Sequence, residues 1–115
     1  MAKFERHFRG DFDAVLSFCE ETIRGASMTA SLEETSDAAV GGARVALRVY
    51  ERYSLLGSNR VSLSLMLAGA GDELYLSAAT SGGSQAMFFK INTFGENAFL
   101  ARLTGPLEDY ITRAR

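Results

Sequence analysis

The chain has 115 residues, a formal net charge of -2 and 47% hydrophobic and 23% charged residues. That is one globular domain spanning residues 1–115, with no room for a second and too little charge bias for a general nucleic-acid binder. One cysteine, Cys19, excludes an internal disulfide, and one histidine with one cysteine fits no zinc spacing. Charges at Lys3, Glu5, Arg6 and Arg9 break any signal-peptide pattern, and the most apolar run, residues 61–70, is far short of the roughly 20 residues a bilayer span needs. The expectations are a cytoplasmic location, no membrane and no cofactor.

Residues 2–9 alternate, with Phe4, Arg6 and Phe8 on one side and Lys3, Glu5 and His7 on the other, and predict a strand. Gly10-Asp11 then starts a helix. Asp11 suits the N-cap, Asp13 complements the dipole, and Phe12, Val15, Leu16, Cys19 and Ile23 form one apolar stripe ending at Gly25. Four strands follow. Met28, Ala30 and Leu32 alternate with Thr29, Ser31 and Glu33, and residues 36–42 read as a turn around Gly41-Gly42. In the next strand Val45, Leu47 and Val49 are expected to face the core, and Arg44, Arg48, Tyr50 and Arg52 the other side. Val61, Leu63, Leu65 and Leu67, then Leu74, Leu76 and Ala78, supply two more core faces, joined by Gly69-Ala70-Gly71-Asp72.

Residues 85–91 fit either a short strand or a buried link. Thr93 and Glu96 have capping-box spacing, so a helix is predicted over 94–112 on the apolar positions Phe99, Leu103, Leu107 and Tyr110, with a kink or split at Gly105-Pro106. The fold class is α+β, in the order β-α-β4-α, an antiparallel sheet with both helices packed on one face. Val45, Leu47, Val49, Leu63, Leu65 and Leu74 are expected to be buried under the helices.

This order resembles the TATA-binding-protein-like and helix-grip folds, in which a long C-terminal helix crosses a curved antiparallel sheet. The stretches Arg48–Tyr53, Thr80–Gln85 and Phe89–Glu96 look like a small uncharacterised bacterial family of unknown function. That resemblance implies no activity and brings no functional residues.

His7 reads as a strand residue rather than part of a triad, and Cys19 as a buried structural thiol, because reactive cysteines need an open, electropositive setting. The Ser81-Gly82-Gly83-Ser84 loop has backbone N–H groups to offer an anion, but it lacks the lysine of a phosphate loop and reads first as a turn. Met87, Phe88, Phe89, Phe94 and Phe99 mark a candidate pocket for a small apolar ligand between sheet and final helix, weighed against ordinary core packing. Arg48, Tyr50, Arg52, Met66 and Tyr75 mark a candidate interface on the outer sheet face, where a homodimer contact is expected and nucleic acid is disfavoured. The function expected is a non-catalytic binding or interaction module that self-associates; the alternative is an apolar-ligand carrier, and an enzyme ranks last.

Overall fold

The computed structural model describes residues 2–26, 29–53, 60–82 and 89–113, with side chains described outside residues 26 and 89–98. In chain order the elements are β1 (Ala2–Arg9), α1 (Phe12–Ala26), β2 (Ser31–Val40), β3 (Ala43–Tyr53), β4 (Arg60–Ala70), β5 (Glu73–Gly82) and α2 (Phe89–Arg113). The strands form one open antiparallel sheet of five, in the spatial order β1-β5-β4-β3-β2. α1 therefore carries the chain from one sheet edge to the other, and β1 closes against β5.

Asp11 caps α1 as its sequence suggests: its Oδ2 accepts from the Ala14 N–H at 2.9 Å, and its carbonyl accepts from the Val15 N–H. The α1 stripe packs with Phe99, Leu100, Leu103, Leu107 and Ile111 of α2 against Val61, Leu63, Leu65, Leu67, Leu74, Leu76 and Ala78 of the sheet. Strict alternation in β4 and β5 puts leucines inward and Ser62, Ser64, Met66, Tyr75, Ser77 and Ala79 outward. The tight turns at Gly41 and Gly71 are held at φ of 59° and 62°, the left-handed region that glycine enters without steric cost.

The sequence reading of β3 is inverted. Ala46, Arg48 and Tyr50 are buried on the helix side, and Leu47 is 37% exposed on the outer face with Val45 and Val49 beside it. Hydrophobic alternation ranked the two faces wrongly because it scores arginine as polar. At the border of the helix layer, arginine lays its aliphatic stem over the core and delivers its charge to carboxylates on α1. Leu63, Leu65 and Leu74 are buried as expected.

β2 begins and ends later than its hydrophobic pattern suggests. Residues 36–40, expected as turn, pair with β3 instead, and the register shifts between Leu32 and Glu34. Backbone pairing to β3, rather than burial, holds this strand, since all ten of its residues are exposed. Met28 lies outside the described residues.

α2 starts at Phe89, so Thr93 sits inside the helix rather than at its cap, and residues 89–91 are helical; 85–88 lie outside the described residues. The helix continues through Gly105-Pro106 because Leu103, Leu107 and Ile111 are buried on one side while Gly105 and Pro106 face solvent. Burial of that stripe outweighs the one hydrogen bond that proline removes.

Leu65 is fully buried at the sheet centre. Leu65→Ala is expected to cost about 2–5 kcal/mol in urea unfolding. Leu47→Ala, on the exposed face, is expected to cost under about 1 kcal/mol in the isolated chain.

Candidate functional site

Two surfaces of the sheet carry the chemistry, and they differ in kind. On the helix side, the arginines of β3 reach α1. Arg44 sits 4.1 Å over the Phe12 ring and donates to both Asp13 carboxylate oxygens, at 2.9 and 3.1 Å. Gly69 lies beneath that ring: a Cβ there would come within 2.9 Å of Phe12 and 2.7 Å of Leu74. The Arg44 hydrogen bond holds the Asp13 carboxyl below its ordinary range. About two helical turns further on, Arg48 donates to Glu20 at 2.7 Å, to Asp37 of β2 at 3.1 Å and to the Leu47 carbonyl at 2.9 Å. Burial pulls this guanidinium down, and the hydrogen bonds to Glu20 and Asp37 outweigh it, so that its pKa is raised.

Arg48, Tyr50 and Arg52 therefore do not lie on the outer face, where the sequence had placed them as interface residues. Arg48 and Tyr50 are buried against α1, and Arg52 is half-buried with its guanidinium 4.6 Å over the Phe99 ring. Tyr50 is 2% exposed, and its hydroxyl has no hydrogen-bond partner among the described residues. Burial pushes that hydroxyl up to about 12, with the Glu20 charge adding to the shift.

Met66 and Tyr75 do lie on the outer face. The middle of that face carries Val45, Leu47 and Val49 of β3, Ser62, Ser64, Met66 and Ala68 of β4, and Ser77 and Ala79 of β5. None of these is charged. The ionic groups stand at the rim: Lys3, Glu5 and Arg9 on β1, Glu34 on β2, Glu51 at the end of β3, Arg60 at the start of β4 and Glu73 at the start of β5. At the β1 rim, the exposed His7 ring lies 4.6 Å from that of Tyr75, whose hydroxyl donates to Glu5 at 2.7 Å. The signal that could have located this patch is the residue set of β3 read the other way round: Val45, Leu47 and Val49 are as regular an apolar row as any in the chain.

Of the residues expected to line a pocket, Met87 and Phe88 lie outside the described residues, as do the side chains of Phe89 and Phe94. Phe99 is 1% exposed and belongs to the closed core rather than to an open cavity. Two open depressions of several hundred Å³ lie elsewhere among the described residues. One, of about 790 Å³, runs round the β4–β5 end past His7, Leu74, Tyr75 and Ile111. The other, of about 810 Å³, lies on the outer side of the helices among Phe18, Pro106, Asp109, Tyr110 and Arg113, where Phe18 and Tyr110 stack at 4.4 Å. Of the Ser81–Ser84 stretch, residues 81 and 82 belong to β5 and the other two lie outside the described residues. A Cβ at Gly82 would fall 2.5 Å from the Arg60 carbonyl oxygen, so this glycine serves close strand approach. Among the described residues no group of three or more His, Cys, Asp or Glu is placed to hold a metal ion, and no helix is long and apolar enough to cross a membrane.

The geometry defines a small α+β domain with one helix-covered and one open sheet face. Residues 1–111 match DUF6054, a family of unknown function, and the chain belongs to it. This agrees with the resemblance read from the sequence to a family without assigned function. No curated protein and no solved structure matches the chain.

Cys19 is fully buried, and burial followed by the neighbouring Glu20 charge pushes its thiol up to about 12. The thiol stays protonated through neutral and mildly alkaline pH, so a disulfide reagent at pH 8 is expected to label it only after denaturation. Labelling of the native protein on the timescale of mixing is the contrary result. Glu20→Ala removes a partner from buried Arg48 and is expected to cost about 1–3 kcal/mol in urea unfolding, more than Asp13→Ala at the exposed Arg44 pair.

Proposed function

We propose that this protein is a non-catalytic interaction module that self-associates through its outer sheet face. The observation that carries the reading is the uncharged centre of that face, with Leu47 and its row of β3 valines left outside by the inward turn of the arginines. Small serines and alanines on β4 and β5 allow a second backbone to approach closely, and Met66 and Tyr75 are residue types favoured at interface centres. The occupant we assign is a second copy. Five strands about 4.8 Å apart and ten residues long present roughly 800 Å², which is the area per partner of a standard stable interface. A two-fold axis parallel to the strands lays β4 on β4 and sets the rim of β1, with Lys3 and Arg9, against the rim of β2, with Glu34.

The likeness to TATA-binding-protein-like and helix-grip folds is one of topology and transfers no ligand. Nucleic acid fits poorly, because Arg44 and Arg48 turn toward α1 and meet its carboxylates, and Arg60 pairs with Glu51. We assign no catalytic role to His7 or Cys19, and a bacterial cytoplasmic setting suits a chain whose one thiol is buried. The carrier alternative loses its anchor at Phe99, which is closed in the core.

Sedimentation velocity at micromolar concentration is expected to give a dimer. Leu47→Glu is expected to give a folded monomer, since a buried unpaired charge at the contact costs several kcal/mol while the same charge on an open strand costs little. A wild-type monomer at high concentration rules the reading out, and a dimer that Leu47→Glu leaves intact moves the contact elsewhere.

A further inference from the structure

One row of cross-strand partners ties the two rims of the outer face together. Lys3 of β1 pairs with Ala79 of β5, Ala79 with Ser64 of β4, Ser64 with Val49 of β3, and Val49 with Glu34 of β2. All five side chains belong to the outer face, so the row begins with a cation, crosses three uncharged residues and ends with a carboxylate. Lys3 and Glu34 are both exposed. Four strand spacings, about 19 Å, separate them, too far for them to meet within one chain. Inside its own chain Lys3 approaches Glu5 at 3.8 Å, a loose contact, and Glu5 already accepts from the Tyr75 hydroxyl at 2.7 Å.

We propose that self-association pairs Lys3 of each copy with Glu34 of the other, and that this pairing fixes the two-fold axis along β4. The proposal rests on the outer face being the contact, and adds its register. β4 is the middle strand of the five, so an axis along it exchanges the two rims and keeps each residue at its own level along the strands. Lys3 then lies over the partner's Glu34, and the same contact recurs at the opposite rim. Stacked sheets lie about 10 Å apart and are rotated by about 30°, a separation that an extended lysine and a glutamate close between them. The same axis sets Leu47 and Val49 over the partner's Ser77 and Ala79, large on small, as interdigitating faces require. A two-fold running across the strands through the Met66 row would instead set Glu5 on Glu5, like charge on like.

The test is a charge exchange, read by sedimentation velocity of the full chain at low ionic strength. Lys3→Glu and Glu34→Lys are each expected to weaken the dimer by about tenfold or more, because each sets like charges together at both rims. Mixed one to one, the two variants are expected to form a heterodimer as tight as the wild-type dimer, since both rim contacts then join opposite charges again. A chain carrying both substitutions is expected to dimerise like the wild type for the same reason. Lys3→Glu also adds a charge beside Glu5 of its own chain. That local effect persists in the mixture, so recovery there reports the contact between chains. Both side chains are exposed, and circular dichroism is expected to show the wild-type fold in each variant. A dimer that Leu47→Glu breaks but neither rim variant weakens overturns the pairing and leaves the outer face as the contact. Weakening by both variants with no recovery in the mixture overturns it as well. A wild-type monomer overturns the pairing and the self-association together.

Discussion

The Arg48 guanidinium, held between Glu20 of α1 and Asp37 of β2, is the contact on which the arrangement of the sheet turns. It joins three elements at one buried point. With Arg44 on Asp13, it fixes which face of β3 looks toward the helices. In a strand, the choice of face is all-or-none: once Arg48 points inward, Ala46 and Tyr50 go in with it, and Val45, Leu47 and Val49 go out. Those ion pairs specify more than they stabilise. The Asp13 and Arg44 side chains are more than half exposed, and pairs of that kind, screened by water, contribute little. Stability comes from the leucines of β4 and β5 and the apolar stripes of α1 and α2.

Most of the architecture was legible wherever burial alone decides. β1, α1, β4 and β5 came out with their faces correct because alternation or helical spacing there coincides with the core. β3 misled because its two faces compete: one is apolar, the other is arginine, alanine and tyrosine, and the carboxylates that settle the matter sit some thirty residues away on α1 (Asp13 to Arg44, Glu20 to Arg48). β2 was read too short because a strand held by backbone pairing alone has no hydrophobic signature. Thr93 and Glu96 have the spacing of a cap, but nothing local reveals that the helix has already begun at Phe89. For the candidate sites the same competition applied. Met66 and Tyr75 were placed on the open face by their own strands, while Arg48, Tyr50 and Arg52 followed the wrong face of β3.

The two edges of the sheet are treated differently. β1 is tied to α2 through Arg6 and Glu108 and lies over the core with Phe4 and Phe8 half-buried. β2 is exposed on both faces, a long edge of the kind that recruits unrelated chains. Glu33, Glu34 and Asp37 and the register shift after Leu32 guard it. Self-pairing of two such edges about Thr35 and Ser36 would set Glu34 against Asp37, charge against like charge. The outer face has no charged residue at its centre and so lacks that guard.

The position of β1 also bears on how the chain acquires its structure during synthesis. Ala2 pairs with Thr80 and Phe8 with Leu74, so β1 is made well before the neighbour it pairs with. Until residues 74–80 have left the ribosome, Phe4 and Phe8 have no strand to pair with, whereas β2, β3 and β4 pair with strands close to them in sequence. The nascent protein thus carries an unpaired, aromatic-bearing segment until β5 is made, and the charged residues interleaved there, Lys3, Glu5, Arg6 and Arg9, are of the kind that oppose aggregation of such a segment.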